Sequence, residues 1–327
     1  LIGGPIVQYS DVAKQIGSRK TTAKDFTRGM QRFVVGLGKK VIFANICGMI
    51  LRDLPLADAG AMSFGGAWYA GFVYMLQVYF DFSGYSDMAI GIGRILGFTY
   101  KENFDYPFIA KDVSEYWHRW HISLSTWFRD YLLYPILRSR GMRRLSMKKS
   151  ERHGRMYYRN LATMIATTCV WAFTGLWHGA SWNFIVWGLY FCVLQLLEKF
   201  ALGRVREKLP AIARWTLNLI LIVVSFVIFY YTDMGLVTRH ISAMLGVGSA
   251  GFIDARSRLV IRTYSFFPLL AFVCSMPIAP MLNRLGRGLL GSKAFEIVKS
   301  VALSACVALA VLFLVGQSYN PFIYFQF

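Results

Sequence analysis

The sequence predicts an all-α, polytopic membrane protein, a helix bundle with re-entrant or interfacial helices around a central funnel. Three observations carry that prediction. The 327 residues are 56% hydrophobic and 16% charged, whereas a soluble domain carries about 25% charged residues. Mean hydropathy is +0.43, and apolar runs of span length recur along the chain. Lys and Arg number 36 against 17 acids, a net charge of +19, and the bases gather between the apolar runs. That is the positive-inside distribution of membrane proteins. No nucleic-acid partner is therefore expected. Membrane lipids are, because a basic cytoplasmic face attracts anionic head groups or a phosphate-bearing substrate.

The first nine residues, LIGGPIVQY, are too short to span and read as the end of an element that precedes them. The chain begins as though cut from something longer, with no signal peptide to read. Residues 11–28 are polar and basic. Residues 33–51 are apolar but carry Lys39 and Lys40 at mid-length, so an interfacial or broken helix is expected there. Residues 66–82 suit a helix near the lower length limit for a span. It runs into Asp81 and Asp87, which capping of the next helix, pairing with Arg94 or a cavity would explain.

Residues 102–107 read as a loop, and residues 114–137 as one long amphipathic helix. On a wheel at 100° per residue, Trp117, Trp120, His121, Leu124, Trp127, Phe128 and Tyr131 share a face. Arg119, Ser123, Thr126 and Asp130 lie opposite, with His118 and Arg129 on a flank. Residues 138–159 hold nine Lys or Arg against Glu151 alone, which places them in the cytoplasm. Spans are then expected at 160–177, 182–197, 215–231, 265–282 and 298–315, with basic loops returning to the same side. Residues 237–262, with four arginines, read as a loop that fits this alternation poorly. A single domain over residues 1–327 is expected, lacking its N-terminal part. The five cysteines have neither pair nor metal spacing, so no disulfide, metal or tightly bound cofactor is expected.

The stretch WAFTGLWHGASWN, residues 171–183, places His178 between two apolar runs. A histidine there is costly unless it has a partner or a task. A histidine fixed in a tight turn is the structural alternative. Imidazole suits proton transfer near neutral pH, and Trp171, Trp177 and Trp182 are expected to exclude water around it. Composition and topology admit an enzyme, a transporter or channel for a lipid or polysaccharide with pore-lining histidines, or a structural subunit.

GGPIVQY at 3–9, YFDFSGYSDMAIGIGRILGF at 79–98, NFDYPF at 103–108 and SEYWHRWHISLSTWFRDYLLYP at 114–135 resemble the membrane-bound O-acyltransferases. So do FTGLWHGASWNFIVWG at 173–188 and NPFIYFQF at 320–327. The likeness is to the bacterial branch that contains the alginate O-acetyltransferase membrane subunit and the teichoic acid D-alanyl transfer protein. It implies that His178 is catalytic and His121 supports it, with His118 incidental. It implies an acyl donor, acetyl-CoA or an acyl-phosphopantetheine carrier protein, on the cytoplasmic side. The acceptor would be a hydroxyl of a polysaccharide or relay protein outside the bacterial inner membrane, served by an extracytoplasmic acetyltransferase or esterase-like protein. Trp117, Trp120, Arg119, Ser123, Arg129, Asp130, Trp177 and Asn183 are the expected substrate-binding residues.

Overall fold

The computed structural model describes residues 4–56, 62–149 and 153–315; the closing NPFIYFQF motif lies outside them. The described residues form helices and turns without a strand. Among the described residues, four helical segments are long and apolar enough to cross a membrane, namely Ala23–Asp53, Trp182–Leu202, Ala211–Tyr230 and Ile278–Val315. A bent pair, Ala255–Thr263 and Phe266–Cys274, makes a possible fifth. Contacts gather the chain into two compact units, Leu1–Ile109 with Thr238–Phe327, and Ala110–Val237.

In the first unit, the expectation of an interfacial or broken helix at 33–51 is corrected. The segment continues from Ala23 to Asp53, with a π turn at Lys39–Ala44 taking up the irregularity. A π turn adds one residue to the helical repeat and re-aims the side chains after it. Here it turns both lysines toward Phe64–Ile95. That helix runs unbroken for 32 residues through Asp81 and Asp87, so neither aspartate caps a new helix. Lys40 pairs with Asp81, and both side chains are buried. Lys39 lies 2.7 Å and Arg32 2.6 Å from Asp87. Arg94 reaches Asp25 instead, at 3.2 Å.

These pairs share an antiparallel register with two close backbone crossings. A Cβ on Gly29 would stand 2.6 Å from the Gly91 carbonyl oxygen, and one on Gly91 would stand 2.7 Å from that of Gly29. Gly36 and Gly84 repeat the arrangement. Small residues at such crossings let backbones approach, which is how helices associate where hydrocarbon removes the hydrophobic drive.

Later elements of this unit also depart from expectation. Residues 237–262 hold most of the helices Met234–Met244 and Ala255–Thr263, the latter capped by Asp254, which accepts from the Ser257 N–H at 2.7 Å. The span expected at 265–282 ends at Cys274, after a 59° bend from the preceding helix. The last segment, Ile278–Val315, is interrupted at Gly291, whose φ of 75° no helix contains.

Three spans were expected in or beside the second unit, and two fall close to their bounds: Trp182–Leu197 and Ala211–Tyr230. The third, expected at 160–177, is the helix Arg155–His178, which is not among the segments apolar enough to cross a membrane. The amphipathic segment 114–137 departs most. It is two seven-residue helices, Val113–Arg119 and Ile122–Phe128, followed by a π turn at Arg129–Leu133 and the short helix Tyr134–Arg138. The single wheel therefore fails past the break: Trp127 and Tyr131 are exposed, while Leu124 and Phe128 are buried.

Buried ion pairs are costly to break singly, because the survivor is left as an uncompensated charge. Lys40→Met should cost about 3–5 kcal/mol of stability, read by thermal unfolding in detergent. Lys40→Met with Asp81→Leu should regain most of that loss.

Candidate active site

The site is built on a hairpin of Arg155–His178 and Trp182–Leu197, joined by Gly179, Ala180 and Ser181. Gly179 has φ 150°, a conformation that suits glycine, and a Cβ there would meet the Phe184 ring at 2.9 Å. Below the turn, a Cβ on Gly175 would strike the Phe184 carbonyl oxygen, and one on Gly188 would strike that of Trp171. The two backbones thus touch at Gly175 and Gly188. That contact fixes the height of His178, at the end of one helix, against Trp187 on the other.

His178 is half-buried in a ring of aromatic edges. Its centroid lies 4.9 Å from Trp187, 5.0 Å from Trp177 and 5.1 Å from Phe229, all near perpendicular, with Phe184 at 6.1 Å. The water-excluding shell differs from the expected trio. Trp177 belongs to it, but Trp182 is 71% exposed, and Trp171 packs on Trp117 and Phe191.

His121 is 3% exposed and lies 6.1 Å from Trp177. One indole therefore touches both imidazoles. His121 sits at the junction of the two short helices with φ 45° and ψ 52°, a left-handed conformation uncommon outside glycine, though histidine is enriched there. Such strain collects at functional sites because the surroundings must enforce it. At this junction, outside the spans, burial holds the His121 imidazole well below the ordinary histidine range, and His178 nearby pushes the same way. His121 is neutral at pH 7, and its tautomer decides which nitrogen donates.

Beneath the histidines lies a cavity of about 930 Å³. One wall is a stripe of Arg155–His178, formed by Thr163, Thr167, Val170, Trp171 and Thr174, a helical spacing that ends one turn short of His178. The facing wall includes Trp117, Ser125, Thr126 and Phe128, with Arg129, Lys199, Arg206 and Arg214 also lining the space. Trp171 Nε1 donates to Gln195 Oε1 at 3.0 Å. Trp117 Nε1 is buried and finds no acceptor among the described residues.

A polar clamp holds the entry of Val113–Arg119. Glu198 accepts from the Val113 N–H at 2.9 Å and pairs with Arg206, which also reaches Asp112 at 3.2 Å. This clamp was not legible as a sequence motif, since its members lie about 85 residues apart.

The expected site residues fall into separate places. Trp117 and Arg129 line the cavity, as does the exposed His118. Trp120 is core, stacked on Tyr116 at 5.7 Å and set edge-on to Phe226. Arg119 bonds Glu115, and Asp130 pairs with Arg129 at 3.0 Å. Ser123 is half-buried and not part of the cavity wall. Asn183 is fully buried, its Nδ2 donating to the Phe229 carbonyl at 3.3 Å. Trp187 and Phe229, which face His178, were missed, because aromatics inside apolar runs read as core.

The model of the MBOAT, membrane-bound O-acyltransferase family, matches residues 1–148. Over its whole length the chain is 34% identical to a probable alginate O-acetylase of Azotobacter vinelandii, covering 67% of that protein. It is 27% identical to a peptidoglycan O-acetyltransferase of Helicobacter pylori, covering 62% of it. Over 68% of the chain it is 31% identical to a teichoic acid D-alanyltransferase of Bacillus subtilis, covering 54% of that protein. The chain thus spans roughly half to two thirds of the length of these relatives. A helical fold with several segments of membrane-spanning length fits this kinship. The chain belongs to the membrane-bound O-acyltransferase family.

Gly188→Ala should separate the hairpin and cost about 1–3 kcal/mol through overpacking. Gly141→Ala, where a Cβ meets nothing within 4 Å, is the control. Thermal unfolding of the two variants side by side checks the difference.

Proposed function

We propose that the protein moves an acetyl or other short acyl group from a cytoplasmic thioester to a hydroxyl outside the bacterial cytoplasmic membrane. The observation that carries this reading is the pairing of His121 and His178 across one indole, above a cavity of donor size. The donor is acetyl-CoA or an acyl-phosphopantetheine carrier protein. Both carry a phosphate at the end of a narrow arm. Arg129, Lys199 and Arg214 at the cavity wall supply the cations such a phosphate needs, and cations mark the cytoplasmic side.

His178 acts as the general base. A neutral imidazole takes the proton of the acceptor hydroxyl as its oxygen bonds to the acyl carbon. The tetrahedral centre then expels the thiolate, the C–S bond breaks, and the proton passes from His178 to sulfur. His121, or a tryptophan N–H, donates to the oxyanion that forms between those steps. The aromatic shell favours this chemistry, because excluding water strengthens each charge interaction inside it.

The acceptor is a polysaccharide hydroxyl or a relay protein that passes the acyl group on. Alginate is the favoured polysaccharide, since over the whole chain the relative named for alginate acetylation is 34% identical and the one named for peptidoglycan acetylation 27%. An extracytoplasmic acetyltransferase or esterase-like protein would complete the transfer.

His178→Ala should lower acyl transfer by about 10²–10⁴-fold while the protein still purifies as a folded species. Radiolabelled acetyl appearing on alginate at the unmodified rate would remove His178 from this role.

A further inference from the structure

Trp117 and Trp171 line the cavity, and neither His178 nor Trp187 forms part of its wall. One residue touches both sides. The Trp187 ring lies 4.9 Å from His178, and 5.8 Å and 6.4 Å from Trp117 and Trp171, edge-on in every case. Phe229 and Phe191, each at 5.3 Å, brace it, and the side chain is buried. Edge-on packing on several faces holds an indole in one place.

We infer that Trp187 is the specificity-determining residue of the donor side, a barrier that admits short acyl thioesters and keeps cavity water from His178. This rests on the donor reading above. The acyl end lies against Trp171 and Trp187. A short group needs a small displacement of the indole to reach His178, whereas each added methylene must find volume in a packed aromatic cluster. Removing the indole supplies that volume. It also joins the cavity to the base, so that water can bond to the acyl carbon while the C–S bond breaks and the thiol leaves with the proton.

The test uses the full-length protein in lipid nanodiscs, with acetyl-, butyryl- and hexanoyl-coenzyme A as probes and no acceptor present. Thiol release is followed for the parent, Trp187→Phe, Trp187→Leu and Trp187→Ala. Trp187→Ala and Trp187→Leu should raise the hexanoyl-to-acetyl ratio by about tenfold or more, a change of ~1.4 kcal/mol in relative barrier. Trp187→Phe should fall between them and the parent. Total acetyl-coenzyme A hydrolysis should rise in the same order. An unchanged ratio and unchanged hydrolysis in folded Trp187→Leu would overturn the proposal.

A second measurement needs no acyl chemistry. His178→Cys is combined with Trp187 or with Trp187→Leu, and labelling of residue 178 by a polar maleimide is timed by mass spectrometry. Labelling about tenfold faster without the indole supports the barrier, and equal rates overturn it. If the parent turned over no thioester with any acceptor, the donor reading would fall, and the labelling rates would still decide the barrier.

Discussion

Two helix backbones can touch only where neither presents a Cβ, and the second unit depends on one such contact. Gly175 and Gly188 meet beneath the turn that Gly179 closes. The crossing sets the vertical register of a hairpin whose two strands of side chain carry different tasks. His178 ends one helix, and Trp187, Phe184 and Phe191 project from the other. Slide the crossing by one residue and the imidazole loses its aromatic shell. The same device recurs in the first unit, where paired glycines let charged residues meet inside a helix pair. Close packing there is what makes a lysine and an aspartate tolerable in an apolar run.

Around the histidines, apolar burial and strain are spent on position. His121 is held left-handed between two helices too short to be stable alone. What keeps those helices in place is outside them: the Glu198 and Arg206 clamp at the start, and the stack of Tyr116, Trp120 and Phe191 along the side. A site built this way has few free rotamers. Its two imidazoles keep their separation because the indole between them, Trp177, is attached directly to His178.

The sequence showed the overall helical membrane class, because that rests on hydropathy, and it singled out His121 and His178 by residue type. It showed Trp182–Leu197 to the residue, since an apolar run with a serine before it and charges after it leaves little choice. What it hid were relations across distance. Lys40 and Asp81 each read as an anomaly, and only the π turn and an antiparallel neighbour 41 residues away resolve them together. The break at His121 had no glycine or proline to mark it, so a straight wheel was drawn through a bent segment. Trp187 was hidden for a different reason. In an apolar run a tryptophan looks like packing, and only its contacts with His178 on one side and the cavity wall on the other give it a task.

The central claim is that the donor cavity leads to His178 through this aromatic cluster. An experimental structure of the full-length protein with a non-hydrolysable thioether analogue of acetyl-CoA tests it most directly. The arm should thread past Thr163 and Thr167, with Trp187 displaced and the acyl carbon within about 4 Å of the His178 ring, close to attack distance for a guided hydroxyl. An analogue bound away from the cavity, or seated in it with its acyl carbon far from His178, would contradict the account.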